Sequence, residues 1–305
     1  MARERGIVLQ QYSISVGKEN TLENIGVVGL GRMGSAIAQR MSQQEIAVQA
    51  WTQSGRSVDG VESAPDLKTL ASRSDTLILS LFGNEAVGEV LDTLLTTDLM
   101  GKQIIDTSTV TPDLLVTRLD RFSQLGADIV DAPISGGPEL VRAGSCGIFV
   151  GGEAASFERA RDTLAPLSQR ILHVGPLGTG LAMKAINNGM IQAYFAGLYD
   201  LMPLANKAGL PLETALRILC GGPAGMPLVA DRISKVLGED EEVGFALSAA
   251  FKDNQVFRQM MASFGLESSM LKNFGELKKP VAEAGLLEAD PAALVSLGYK
   301  KGKNT

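Results

Sequence analysis

The chain has 305 residues, 45% of them hydrophobic and 20% charged, and a formal net charge of -6. That length supports two domains, each with its own core, and an acidic balance without a dense Lys/Arg stripe argues against a nucleic-acid partner. Cys146 and Cys220 stand too far apart for a zinc or redox spacing; the single histidine, His173, excludes a histidine-rich metal site, and no Gly-x-Ser-x-Gly elbow is present for a charge-relay hydrolase.

Residues 1–23 carry Arg3, Glu4 and Arg5 and then a mixed run, with no long apolar region and no small-residue cleavage site. They read as an N-terminal extension of a cytoplasmic protein. No window reaches the roughly 18–20 apolar residues of a membrane span. Residues 24–28 form a short apolar run that ends in Gly29-Leu30-Gly31-Arg32-Met33-Gly34, followed by helical spacing over 35–42. Strand, glycine turn and helix is the setting of the dinucleotide fingerprint. The first glycine permits the tight turn, the second admits a pyrophosphate, and the third lets helix and strand approach. The helix N-terminus then faces the phosphates with free N–H groups.

A second strand is predicted over 46–51, and its end bears on the cofactor. An NAD site places an acid there to accept from the ribose hydroxyls. Here the residues are Thr52-Gln53-Ser54-Gly55-Arg56, with no acid before Asp59. Arg56 reads either as a partner for a 2′-phosphate, hence NADP with NAD as the alternative, or as a solvated loop charge. Further strands are predicted over 76–82, 103–106, 128–130, 146–150 and 170–174. Helical patterns lie between them over 66–72, 85–94, 112–125 and 154–164. Thr111 reads as an N-cap with Pro112 at the first helical position. Ser108 and Thr109 fall at the carboxyl end of a strand, where open α/β sheets bind ligands. Ser135-Gly136-Gly137 is a turn rich in free N–H groups, suited to an anion such as a carboxylate or to a plain connection.

From residue 181 onward only helices are predicted: a long one to 207, with a kink or break at Pro203, then 213–219, 228–237, 245–262, 268–284 and 291–297. The long helix carries Lys184 on an otherwise apolar stretch, and Asn188 lies one turn later on the same face. The expected fold is α/β: a Rossmann-like nucleotide-binding domain over 24–180 and an all-α domain over 181–305, joined by the long helix.

Four of these motifs, in order, carry a resemblance to the β-hydroxyacid dehydrogenases: the glycine turn 29–34, Asp106-Thr107-Ser108-Thr109, Asp131-Ala132-Pro133-Ile134-Ser135-Gly136-Gly137, and Gly178-Thr179-Gly180 running through Lys184 to Asn188. Lys252-Asp253 adds a fifth, although Asn254-Gln255 replaces the Leu-Gly usual after it. The resemblance spans about 24–297. It implies an NAD(P)-dependent oxidoreductase that moves hydride between nicotinamide and a small β-hydroxyacid or carboxylate-bearing aldehyde. It also implies Lys184 as the catalytic lysine with Asn188 as its partner, and Asn187 beside Ser135, Gly136 and Gly137 around the substrate. Leu81, Phe82, Ser108, Thr109 and Lys252 would line the nicotinamide end, and the glycine turn with Thr52, Gln53, Ser54 and Arg56 would hold the rest of the cofactor. No metal, nucleic acid or membrane is expected, and the partners are a small-molecule substrate and further copies in a homodimer or homotetramer. The rivals are an imine reductase, whose members commonly lack a lysine at this position, and a non-catalytic nucleotide-binding protein.

Overall fold

The computed structural model describes residues 23–303, so the N-terminal extension, except for Glu23, lies outside the described residues. The first strand, β1 (Ile25–Val28), is buried along its whole length. Val27 and Val28 point to opposite faces of the sheet and join two different cores. A strand buried on both faces reads as a continuous apolar run, which is why a parallel sheet was legible here. The glycine turn follows and leads into α1 (Arg32–Gln43), whose Ile37 and Met41 fill the core on one face.

The sheet grows in alternation: β2 (Val48–Trp51), β3 (Glu62–Ser63), α2 (Leu67–Arg73), β4 (Thr76–Leu79), α3 (Asn84–Leu94), β5 (Gln103–Asp106), α4 (Asp113–Val116), α5 (Leu119–Gln124) and β6 (Asp128–Asp131). Then come β7 (Ile134–Ser135), α6 (Pro138–Arg142), β8 (Gly147–Gly151), α7 (Ala154–Leu164) and β9 (Arg170–Gly175). The strand order is β3-β2-β1-β4-β5-β6-β8-β7, with β9 beside β8. Strands from β3 to β6 are parallel, whereas β8 runs antiparallel to β6 and β7. After β1 the chain first adds β2 on one side and later β4 on the other. That reversal opens a crevice at the carboxyl ends of β1 and β4, the place where doubly wound sheets bind ligands.

The helical half begins with α8 (Thr179–Lys207), followed by α9 (Leu212–Gly221), α10 (Pro227–Ala230), α11 (Ile233–Leu237), α12 (Leu247–Ser263), α13 (Ser269–Glu276), α14 (Lys278–Glu283) and α15 (Ala292–Lys301). Its core gathers Phe195, Leu216, Phe251, Phe274 and Leu294. The architecture is thus a Rossmann-like α/β sheet followed by an all-α C-terminal domain, with α8 running from one into the other.

Several local expectations differ from the structure. No break occurs at Pro203, and α8 continues through it as one helix. Proline frees the carbonyl four residues earlier, here that of Tyr199, and α15 packs closely over that point through Gly298. The helix expected over 112–125 divides into α4 and α5, because the Thr117 hydroxyl donates back to the Asp113 carbonyl (2.7 Å), a contact that bends helices. Thr111 does not cap α4 with its side chain; its hydroxyl accepts from Asn84 Nδ2 at 3.0 Å. The helix expected over 268–284 also divides, since Pro280 has no N–H to continue the ladder.

Candidate active site

The glycine turn shows which of its glycines the fold needs and which a ligand needs. A methyl group on Gly29 would lie 2.5 Å from the Ser80 carbonyl oxygen, and one on Gly34 would lie 1.9 Å from that of Gly29. A methyl on Gly31 would meet nothing within 4 Å. The outer two glycines therefore serve packing, while the middle one faces open space in the cleft. The N–H groups of the first turn of α1 have no partner within the helix, so a dinucleotide's pyrophosphate fits this turn.

The cleft has a volume of about 850 Å³ and lies between the sheet and the helical domain, within the roughly 300–1,000 Å³ of ligand pockets. Gly29, Leu30, Gly31, Arg32 and Met33 form one part of its wall, and Thr52, Gln53 and Ser54 another. Leu81, Phe82, Ser108, Thr109 and Lys252 line it as well, with Gly136 and Lys184. Gly34, Arg56, Ser135, Gly137, Asn187 and Asn188 do not line it. Arg56 stands at the rim, where its Nη1 donates to the Leu30 carbonyl at 3.2 Å.

The helical domain reaches over the cleft in two places. Arg32 of the glycine turn donates through Nη2 to the carbonyls of Val243 and Gly244. Lys252 on α12 pairs with Asp253 at 2.7 Å, donates to the Thr109 carbonyl at 3.4 Å, and stands 5.1 Å from the centre of the Phe82 ring. Phe82 is 71% exposed, so this cation–π contact holds an aromatic face over open cleft.

Lys184 is 7% exposed, and its ammonium donates to the Ile134 carbonyl. Burial pulls its pKa below the usual lysine range; the Asp253 carboxylate opposes this, while Lys252 adds to it. Asn188, expected as its partner, instead accepts from Asn187 Nδ2 at 2.9 Å, and the same Asn187 amide reaches Ser135 Oγ at 3.3 Å. Next to this line is Glu139, which sequence reasoning passed over. A methyl on Gly137 would lie 2.3 and 2.4 Å from its two carboxylate oxygens.

Two acids lie beneath the site. Asp131 ends β6 and accepts from the Gly178 and Leu181 N–H groups at 2.6 and 2.7 Å. Asp106 ends β5, accepts from Ser108 N–H at 2.9 Å, and leaves Oδ2 without a partner among the described residues. Burial raises the pKa of each to about 6. No signal in the sequence pairs Asp131 with Gly178 or places Asp253 beside Lys184, because these contacts span distant segments.

Residues 24–175 match the family described as the NAD binding domain of 6-phosphogluconate dehydrogenase, and residues 178–297 match the NAD-binding of NADP-dependent 3-hydroxyisobutyrate dehydrogenase. The chain belongs to the β-hydroxyacid dehydrogenase family. Within it, the chain is 29% identical to 2-(hydroxymethyl)glutarate dehydrogenase of Eubacterium barkeri, over 75% of this chain and 79% of that one. It is 26% identical to 2-hydroxy-3-oxopropionate reductase of Escherichia coli, over 89% of this chain and 95% of that one. In fold it is similar to 3-hydroxyisobutyrate dehydrogenase of Mycobacterium tuberculosis, solved with L-serine, at TM-score 0.82 and 22% identity, covering 90% of this chain and 98% of that one. An imine reductase from Myxococcus stipitatus in complex with NADP+ shares the fold at TM-score 0.59 and 22% identity, over 90% and 99%. As a β-hydroxyacid dehydrogenase homologue, the protein is an NAD(P)-dependent oxidoreductase with a small-molecule substrate. Among the described residues no helix is long and apolar enough to cross a membrane, and no cluster of metal-ligating side chains occurs.

Proposed function

We propose that this oxidoreductase reduces small carboxylate-bearing aldehydes and oxidises the matching short β-hydroxyacids, with Lys184 as the proton donor and acceptor. The observation that carries this reading is a buried lysine, its ammonium anchored to Ile134 O, in the wall of a cleft that also holds the glycine turn. The bound nicotinamide cofactor would exchange hydride with the substrate carbon. In reduction the Lys184 ammonium stabilises the negative charge developing on the carbonyl oxygen and donates a proton to it. In oxidation the neutral amine takes that proton back. Burial lowers the pKa of Lys184, which brings both forms nearer to working pH.

Gly136, which lines the cleft, would receive the substrate carboxylate together with its neighbours Ser135 and Gly137 just outside the lining, with Asn187 orienting the Ser135 hydroxyl and Asn188 holding Asn187. Glu139 must swing away from Gly137 for this, since two carboxylates repel at such a distance. The names of the two curated relatives, a hydroxymethyl-acid dehydrogenase and an oxo-acid reductase, favour the same substrate class. For the cofactor, the lack of an acid at Thr52-Gln53-Ser54-Gly55-Arg56 and the anchoring of Arg56 at the rim support NADP over NAD. Exposed apolar side chains along α8, among them Ile186, Met190, Leu201 and Leu204, support a homodimer or homotetramer; the enzyme would be cytoplasmic, with residues 24–180 and 181–305 as its domains.

The test pairs a short aldehyde acid such as glyoxylate with its amide analogue. The acid should show at least about tenfold higher kcat/KM, the worth of a charge-assisted contact, and Glu139→Gln should raise kcat/KM for the acid alone. Equal values for acid and amide would refute the carboxylate site. Faster reduction of a cyclic imine than of any aldehyde would favour the imine reductase reading, and no turnover of any kind would favour a non-catalytic nucleotide binder.

A further inference from the structure

The long helix that carries Lys184 begins without a cap of its own. Its N-cap residue, Gly178, has no side chain; Thr179 N–H donates to Pro176 O, whereas the Gly178 and Leu181 N–H groups have no acceptor within the helix. The missing acceptor comes from Asp131, a residue 47 positions before Gly178 and at the carboxyl end of β6. One carboxylate oxygen accepts from Gly178 and the other from Leu181, so both are committed to α8.

The space around that carboxylate is built for it. A methyl on Gly151 would lie 2.3 Å from Oδ1, and one on Gly180 would lie 2.7 Å from Oδ2. The same short stretch of chain then touches α8 on its next two turns. Ile134, three residues after Asp131, accepts from the Lys184 ammonium, and Ser135 accepts from Asn187. Residues 131–135 thus meet α8 near 178–181, at 184 and at 187, with the charged contact at the helix start.

We propose that Asp131 is a positioning residue: its carboxylate pins the first turn of α8 to the sheet and thereby sets where Lys184 stands in the cleft. A carboxylate at a helix N-terminus is favoured by the helix dipole, yet this one is fully buried, and burial of a charge costs stability even when it is hydrogen-bonded. Asp106 on β5 adds a like charge nearby. The arrangement therefore gains less in stability than in placement. Misplacing a catalytic group by about 1 Å costs on the order of a hundredfold in rate.

It rests on the reading of Lys184 as proton donor, so Lys184→Ala is measured beside Asp131→Asn. An asparagine has one acceptor oxygen, and its NH₂ group would oppose one of the two N–H donors. Asp131→Asn should lower kcat by about a hundredfold while cofactor Kd, set at the glycine turn, changes less than about twofold. The alkaline limb of kcat/KM for reduction should also move to higher pH, because a displaced Lys184 regains water while still facing Asp253 and Lys252 from α12 and Cys146 before β8. A loss of thermal stability with kcat per folded molecule and the limb both unchanged would overturn the proposal. Activity retained in Lys184→Ala would instead overturn the catalytic reading itself. If Asp131→Asn does not fold, amide exchange in the unmodified protein decides. Gly178 and Leu181 should be protected like interior amides of α8, and exchange as fast as at a frayed helix end would refute the pinning.

Discussion

The proposed preference for NADP rests on one side chain, Arg56. It stands on the loop after β2, exposed, and donates a hydrogen bond to Leu30 O in the glycine turn. In the proposed reading that contact would hold the guanidinium within reach of a 2′-phosphate, which a planar fork of donors suits well. Arg56→Ala should weaken NADPH binding by about tenfold, a modest figure because an exposed pair is screened by water, and should leave NADH within about twofold. Fluorescence titration of both cofactors checks this. Tighter NADH than NADPH binding by the unmodified protein would overturn the NADP preference. At the same scale, Lys184 could be singled out in the sequence as a lone cation on an apolar helix. Glu139 could not, since an acid in the first turn of a helix is ordinary, and its position over Gly137 follows from the turn of the chain after β7.

At the scale of the element, α8 explains why a proline did not end a helix. Packing against α15 covers the point where Pro203 interrupts the ladder, and the close approach depends on glycine in α15. A methyl on Gly298 would lie 2.4 Å from Tyr199 O and 2.7 Å from Tyr199 Cα, both backbone atoms that cannot step aside. Gly298→Ala should therefore lower stability by about 1–3 kcal/mol, the cost of overpacking. Gly197 in the same α8 has nothing within 4 Å of a built methyl. Gly197→Ala should be neutral or stabilising by up to about 1 kcal/mol, since alanine is the better helix former. Denaturant unfolding of the two variants reads the contrast, and equal effects would refute the close-contact account.

For the whole molecule, the two buried acids under the cleft set a pH dependence of stability. Burial raises both Asp106 and Asp131 to about 6 from an ordinary value of 3.8. A raised pKa means that the folded state binds more protons than the unfolded one between those values, so stability falls as pH rises through about 6. Lowering the pH from 7 to 5 should stabilise the protein by about 1 kcal/mol for each acid that titrates this way. The acids held below their usual range, Asp66, Asp92 and Asp240, act in the opposite sense, but mainly below pH 4. Calorimetry should find a higher Tm at pH 5 than at pH 7, and Asp106→Asn should flatten the difference. A Tm that falls steadily from pH 7 to pH 5 would contradict the assignment.

What the sequence determined by itself was local. The glycine turn, the apolar runs of buried parallel strands and the helical spacing of the second half each depend on neighbours within a few residues, and so the α/β-then-α architecture was legible in order. The glycines at 29 and 34 were readable because their geometry is repeated wherever a strand turns into a helix over a phosphate. What only the tertiary structure decided was every contact between distant segments: Asp131 beneath the start of α8, Lys184 on Ile134 O, Asp253 facing Lys184, Arg32 on Val243, and α15 over Pro203. Helix breaks at Thr117 and Pro280 and the passage through Pro203 belong with these, because packing outweighs propensities worth at most a few kcal/mol. The order of elements is encoded in periodicity and turn chemistry, whereas the electrostatic setting of Lys184 exists only once the chain has folded and excluded water from it.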